Sequence, residues 1–192
     1  MIKLDKIRDK NMSSFTIQDL ETVQSQYPDY QIELIEGDIV IMSPSGLESE
    51  EVGTEIARLL GNWVRPRKLG RVIGSSAGFI LPNSDLRAPD ASFIKAEKLK
   101  RTTENYAEVV PDLIFEVKSK NDSLKKLREK IEEFLSLGTM VGVLVDPRQR
   151  IMEVYSLQKE TITLHDGDVF IVPEILPGWE FPVEEIWAPE FD

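Results

Sequence analysis

The chain contains no cysteine and a single histidine, His165. Without thiols it has no disulfide framework and no thiolate metal site. One imidazole is too few for a His-rich zinc centre, and a Ser-His-Asp triad would have little to draw on. His165 itself falls in a turn-like stretch, Thr163-Leu164-His165-Asp166-Gly167-Asp168, and is assigned no role. Metal chemistry would therefore use oxygen ligands, which suit Mg²⁺, Mn²⁺ or Ca²⁺. Long apolar runs are missing as well. None approaches the ~20 residues needed to span a bilayer, and the opening MIKLDKIRDKNMSS is charged where a secretory signal would be apolar. A cytoplasmic protein without a membrane partner is the expectation.

Positive charge is scarce in two long stretches, although the first 18 residues hold four basic and two acidic groups. Residues 19–51 hold nine acids and no Lys or Arg, and residues 153–192 hold ten acids against Lys159. The net charge is −11, yet residues 52–152 carry 18 basic and 13 acidic side chains. A basic middle between acidic flanks makes a nucleic-acid-facing surface plausible despite the overall sign. Two clusters stand out: Arg65, Arg67, Lys68 and Arg71, and then Lys118, Lys120, Lys125, Lys126, Arg128 and Lys130. Exposed faces of amphipathic helices also look like this, and nothing resembles a helix-turn-helix, zinc finger or aromatic RNA-binding platform.

What is present is enough apolar sequence, 41% of 192 residues, for one core. A single domain over residues 1–192 is expected, with its core at about 30–156. Ser14 or Thr16 is placed to cap a short helix ending before Pro28. QIELIEG and DIVIMSP alternate about Glu36-Gly37 as a β-hairpin. From Ser45, Val52, Ile56, Leu59, Leu60 and Trp63 recur at helical spacing until Pro66 and Gly70. RVIG, AGFIL, DASFI and DLIFEV read as strands, the last of them central. Asp122 or Ser123 opens a helix to Gly138, with Leu124, Leu127, Ile131, Phe134 and Leu135 on one stripe. MVGVLVD and RIMEVYS follow as strands, then short strands and a turn of helix at PVEEIW. The fold class is α/β (α+β), a mixed sheet flanked by helices, with an N-terminal hairpin and a C-terminal β extension.

Two segments carry chemistry: Arg87-Ala88-Pro89-Asp90 and Pro111-Asp112-Leu113-Ile114-Phe115-Glu116-Val117-Lys118. Strand alternation sends Glu116 and Lys118 to one face, roughly 7 Å apart. An isolated Glu-x-Lys is most often an ion pair worth about 0–1 kcal/mol. The other reading is a hydrolytic metal site, in which two carboxylates hold a divalent cation against a phosphate and a lysine orients the attacking water. Arg87 could meet a phosphate or pair with Asp112.

The order Pro89-Asp90, then Glu116-Val117-Lys118, resembles the motif of the PD-(D/E)XK nuclease superfamily. From Tyr30 to Trp187 the chain resembles the Uma-type restriction endonuclease family within it. The pieces are I-E-L-I-E-G-D-I-V-I-M-S-P, R-A-P-D-A-S-F-I, P-D-L-I-F-E-V-K-S, Lys130, Gly138, V-L-V-D-P and L-P-G-W. The resemblance implies a restriction-endonuclease-like core of four mixed strands flanked by helices. Asp90 and Glu116 would ligate Mg²⁺, with Mn²⁺ as a substitute, and the Val117 carbonyl would complete the protein's share. Lys118 would position the nucleophilic water, and Lys130 would contact phosphate or support the site. An acid on the first core helix would join them, and Glu48 is preferred there over Glu51 and Glu55. Many relatives carry Tyr in place of Phe134 and a Trp near Val143, and many lack a lysine directly after the Glu-Val pair. The implied activity is Mg²⁺-dependent hydrolysis of DNA phosphodiester bonds, with RNA left open and a homodimer expected. The alternatives are a non-catalytic binding or assembly module on the same fold, and hydrolysis of another phosphoester.

Overall fold

The computed structural model describes residues 14–42 and 44–191, together with the backbone of residues 2–3. The chain begins with β1 (Ile2–Lys3) and α1 (Ile17–Gln26). Thr16 caps α1 in a capping box: its N–H donates to Asp19 Oδ2 at 2.8 Å, and the Asp19 N–H donates to Thr16 Oγ1 at 3.3 Å. β2 (Gln31–Ile35) and β3 (Asp38–Met42) then form the expected hairpin. Glu36 and Gly37 both take positive φ, 50° and 77°, which a two-residue turn needs to match the twist of its strands. The hairpin belongs to an antiparallel sheet of order β1-β3-β2-β6-β5, completed by β5 (Phe79–Ile80) and β6 (Leu86–Arg87). The two-residue β6 was not anticipated. Leu20, Ile32, Leu34, Ile39 and Leu86 close a small core between this sheet and α1.

The main sheet has six strands in the order β11-β10-β9-β8-β7-β4. They are β4 (Gly70–Gly74), β7 (Ala91–Lys95), β8 (Leu113–Val117), β9 (Val141–Asp146), β10 (Ile151–Tyr155) and β11 (Ile162–His165). The four expected strands are thus extended by two. Only β8 and β9 pair in parallel, and α3 (Leu124–Ser136) makes the crossover that parallel strands need. α2 (Leu47–Arg67) covers the other face. It runs on through Pro66, in its last turn, and stops where Lys68 takes the left-handed conformation at φ 54°.

β8 is buried on both faces, and its alternation decides where the site lies. Phe115 and Val117 pack with Val52, Ile56, Leu60 and Val64 of α2. Ile114 packs with Ile131 and Phe134 of α3. Glu116 shares the α3 face. The C-terminal segment, with β12 (Val169–Ile171) and β13 (Glu180–Pro182), seals the α2 side. There the Phe170 ring packs at a tilt against Phe115, 5.7 Å between ring centres, and against Phe181 at 5.1 Å. Among the described residues, no helix is long and apolar enough to cross a membrane.

Candidate metal and phosphate site

Because β7 runs antiparallel to β8, the start of one strand lies beside the end of the other. Asp90, just before β7, is thereby brought to Glu116 and Val117 across 26 residues of sequence. Its N–H donates to the Phe115 carbonyl at 3.1 Å, and its Oδ2 accepts the Val117 N–H at 2.6 Å. Glu116 is 2% exposed. From α3 Lys130 reaches inward, with Nζ 2.9 and 3.0 Å from the two Glu116 oxygens and 2.8 Å from the Ala88 carbonyl. Its helical neighbour Ile131 is packed under the sheet, which fixes the direction of the lysine stem.

The hairpin supplies a third carboxylate. Glu33 is 3% exposed, with Oε1 3.3 Å from Lys130 Nζ and accepting the Ala88 N–H at 2.9 Å. Its Oε2 accepts from Arg87 Nη1 at 3.1 Å, and Arg87 Nε lies 3.1 Å from Glu133. A cavity of about 360 Å³ opens onto these groups. Five acids line it (Glu33, Glu50, Asp90, Glu116 and Asp122) against the three cations Arg87, Lys126 and Lys130.

That imbalance governs the ionisation. Burial pushes the Glu116 carboxyl up to about 8, the nearby Asp90 and Glu33 charges adding to the rise, while Lys130 opposes it. Burial likewise lifts Asp90 to about 6 against the pull of Lys130, with Glu50 raising it further. For Glu33 burial is outweighed by Lys130 and Arg87, so this acid stays below its usual range. Lys130 is itself buried, yet Glu116 and Glu33 hold it above the usual lysine value and hence charged. Glu116 Oε1 is fully buried, and although it lies near the lysine, no donor is aligned on it. An oxygen-only donor set, surplus negative charge and one carboxylate oxygen without a directed partner together fit a small, hard divalent cation. Among the described residues, no three His, Cys, Asp or Glu side chains gather into a complete metal cage. A cation would be held by two carboxylates, a backbone carbonyl and water.

Asp90, Glu116, Val117 and Lys130 line the cavity. Lys118 does not. Strand β8 ends at Val117, the Lys118 N–H continues the pairing to the Val145 carbonyl at 2.8 Å, and its Nζ rests 3.4 Å from the Ser119 carbonyl. Glu48 and Glu51 are exposed outside the cavity, and Glu55 pairs with Arg58. The helix acid at the cavity is Glu50. Glu48 and Glu50 flank buried Ser49, about 100° to either side of it, and the cavity is on the Glu50 side. Arg87 pairs with Glu33 and Glu133, whereas Asp112 is taken by Lys98 at 2.9 Å and by the Lys95 N–H at 2.8 Å. Glu33 escaped the sequence reading, because hairpin alternation carries no sign that its polar face will also be covered.

The basic clusters are largely engaged. Arg128 binds Glu153 at 2.7 Å, Arg71 binds the Leu99 carbonyl at 3.0 Å, and Arg67 lies 3.5 Å over the Trp63 ring. Lys120 and Lys126 remain exposed.

Comparison with known proteins agrees with this architecture. A protein from Anabaena variabilis described as a putative nuclease belonging to DUF820 superposes with a TM-score of 0.73. The two are 21% identical over 81% of this chain and 88% of that one, a likeness of fold. The DrdV–DNA complex matches at a TM-score of 0.34 and 14% identity, over 64% of this chain and 13% of that one, and carries no weight. No curated protein matches. The profile of the Uma2 family, described as "Putative restriction endonuclease", matches residues 17–184, and the chain belongs to that family.

Proposed function

We propose that this protein is a metal-dependent endonuclease that hydrolyses DNA phosphodiester bonds, with Lys130 in the role that the motif gives to Lys118. The observation that carries this reading is the convergence of Asp90, Glu116 and Lys130 in one cavity at the end of β8. Asp90 and Glu116, with the Val117 carbonyl, would hold Mg²⁺ or, in its place, Mn²⁺. When bound, such an ion supplies charge beside the scissile phosphate and makes a water more acidic. Lys130 stays charged and has three N–H groups; its Nζ donates to Glu116 and to the Ala88 carbonyl and lies 3.3 Å from Glu33. A phosphate oxygen or the attacking water entering the cavity would compete for one of them, so the lysine orients the nucleophile and answers growing charge on phosphorus. Glu33, held by Arg87 and the Ala88 N–H, keeps the ammonium at this address.

The test is cleavage of supercoiled plasmid and single-stranded DNA with Mg²⁺, with Mn²⁺ and with EDTA. Glu116→Gln and Asp90→Asn would run alongside, since these amides preserve shape. Metal-dependent cutting lost in both variants is expected. Equal cutting by wild type and variants would place the activity elsewhere. No cutting by a folded wild type would turn the reading toward a non-catalytic binding module.

A further inference from the structure

A second cavity adjoins the first. It measures about 670 Å³, within the ~300–1,000 Å³ range of small-ligand pockets. The two share Gln31, Met42, Pro44 and Ala88 as a common wall. Ala88 is the residue whose carbonyl holds Lys130, two positions before Asp90. The cleft therefore lies next to the proposed phosphate site.

Its chemistry differs from its neighbour's. Tyr30, Tyr106 and the prolines at 28 and 44 give it an apolar lining, and Gln24 and Gln31 line it too, their Nε2 groups already donating to the Tyr27, Pro28, Tyr30 and Ser75 carbonyls. Among the described residues no Lys or Arg lines it, and its one charged group is Asp29. A phosphate would find no cation there and would be repelled by the acid. A neutral aromatic ring with N–H groups at its edge suits tyrosine and proline walls, and the Gln24 and Gln31 carbonyl oxygens are left to accept from it. Tyr30 is 51% exposed, and its ring is braced by a T-shaped contact with Tyr27 at 5.9 Å between ring centres. Beyond it lies a third cavity of about 830 Å³, which shares Pro28 and Tyr106 with the cleft and extends the groove.

We propose that this tyrosine cleft holds an unpaired nucleobase of the strand whose phosphate lies at Asp90 and Glu116, so that the enzyme prefers single-stranded or locally unpaired nucleic acid. The proposal rests on the nuclease reading for the register of the strand. In a duplex the faces of each base are hidden by its neighbours, and only an unpaired base can offer a face to tyrosine. Stacking also suits a protein of net charge −11, which has few free cations for a phosphate-led grip.

The experiment uses the full chain in EDTA, where no cutting interferes. It titrates a single-stranded oligonucleotide containing 2-aminopurine, the same sequence as a duplex, an RNA version, and the free 2-aminopurine nucleotide. The fluorescence should quench on the single strand, with the duplex and the free nucleotide binding at least tenfold more weakly. Tyr30→Leu should weaken single-strand binding roughly tenfold, and Tyr30→Phe, which keeps the ring, should restore it. Tyr30 is half-exposed, so neither change should prevent folding, which circular dichroism would check. Equal affinity for single strand and duplex, a wild-type Tyr30→Leu, or tight binding of the free nucleotide alone would overturn the proposal. Tyr30-dependent quenching without metal-dependent cutting would sink only the nuclease reading. Cutting of duplex that ignores Tyr30 would sink only this one.

Discussion

At the scale of single residues, the two lysines separate on burial. Lys130 is among the few buried cations and touches three acceptors, whereas Lys118 is partly exposed and meets only a neighbouring carbonyl. Lys118→Met should therefore leave both unfolding and metal-dependent cleavage close to wild type. Lys130→Met should abolish cleavage, and it should cost about 3–5 kcal/mol, because Glu116 and Glu33 are left buried without their cation. Urea unfolding and plasmid nicking on the same preparations test both statements. Loss of cleavage in Lys118→Met with full stability would return the water-orienting role to the residue that the motif names. Asp90 and Glu116 were legible through the resemblance of Pro89-Asp90 and Glu116-Val117-Lys118 to the nuclease motif, since spacing alone suits an ordinary ion pair equally well. Lys130 was legible more faintly, as a cation at the edge of an apolar helical stripe. Glu33 was illegible: QIELI alternates like a strand with one wet face, and only tertiary packing covers that face.

At the scale of elements, α3 both closes the core and delivers the lysine, so its seat on the sheet matters to the site. Gly142 of β9 lies beneath it, where an added Cβ would stand 2.5 Å from Ile131 Cγ2. Gly142→Ala should lift α3 slightly, destabilise the fold by about 1–3 kcal/mol, and weaken cleavage through the adjacent Lys130. Adding Ile131→Leu, which lacks the γ2 methyl, should recover part of both losses. Simple additivity of the two changes would rule out this contact as the cause. A second tie between α3 and the small sheet is Asp85, whose Oδ1 accepts the Glu36 N–H at 2.9 Å, while Asn83 bridges its other oxygen to Glu133. Burial and the neighbouring Glu133 push the Asp85 carboxyl up to about 6. A carboxyl raised in the folded state binds its proton more tightly there than when unfolded. Its stabilising effect is complete below the unfolded value near 4 and fades as pH climbs through 6. Asp85→Asn cannot titrate and keeps the acceptor. Between pH 5 and 7 the urea midpoint of the wild type should fall relative to that variant, and parallel curves would exclude the linkage. No hint of this tie was readable in sequence, since β6 is two residues long and a strand that short leaves no period to detect.

At the scale of the whole molecule, the acidic flanks and the basic middle do not stay apart in space. The N-terminal hairpin brings Glu33 to Lys130, and β10 brings Glu153 to Arg128, so acids from both flanks neutralise the cations between them. The segregation seen along the chain therefore overstates the positive surface available to a strand. Lys120 and Lys126, exposed beside the cavity mouth, are the principal remainder on that side. Counterion release sets what this implies. A single strand loses affinity with a slope of about −0.7 per phosphate neutralised, so two or three contacts predict roughly a tenfold loss between 50 and 200 mM salt, against about 10³–10⁵ for a protein making six to ten. Fluorescence anisotropy of a labelled oligonucleotide across that range measures the slope directly. A shallow slope, with binding that survives at high salt, is what stacking in an uncharged cleft should give. A steep one would mean that further cations, the exposed Arg65 of α2 among them, grip the backbone, and that phosphate contacts rather than stacking in the tyrosine cleft carry the affinity.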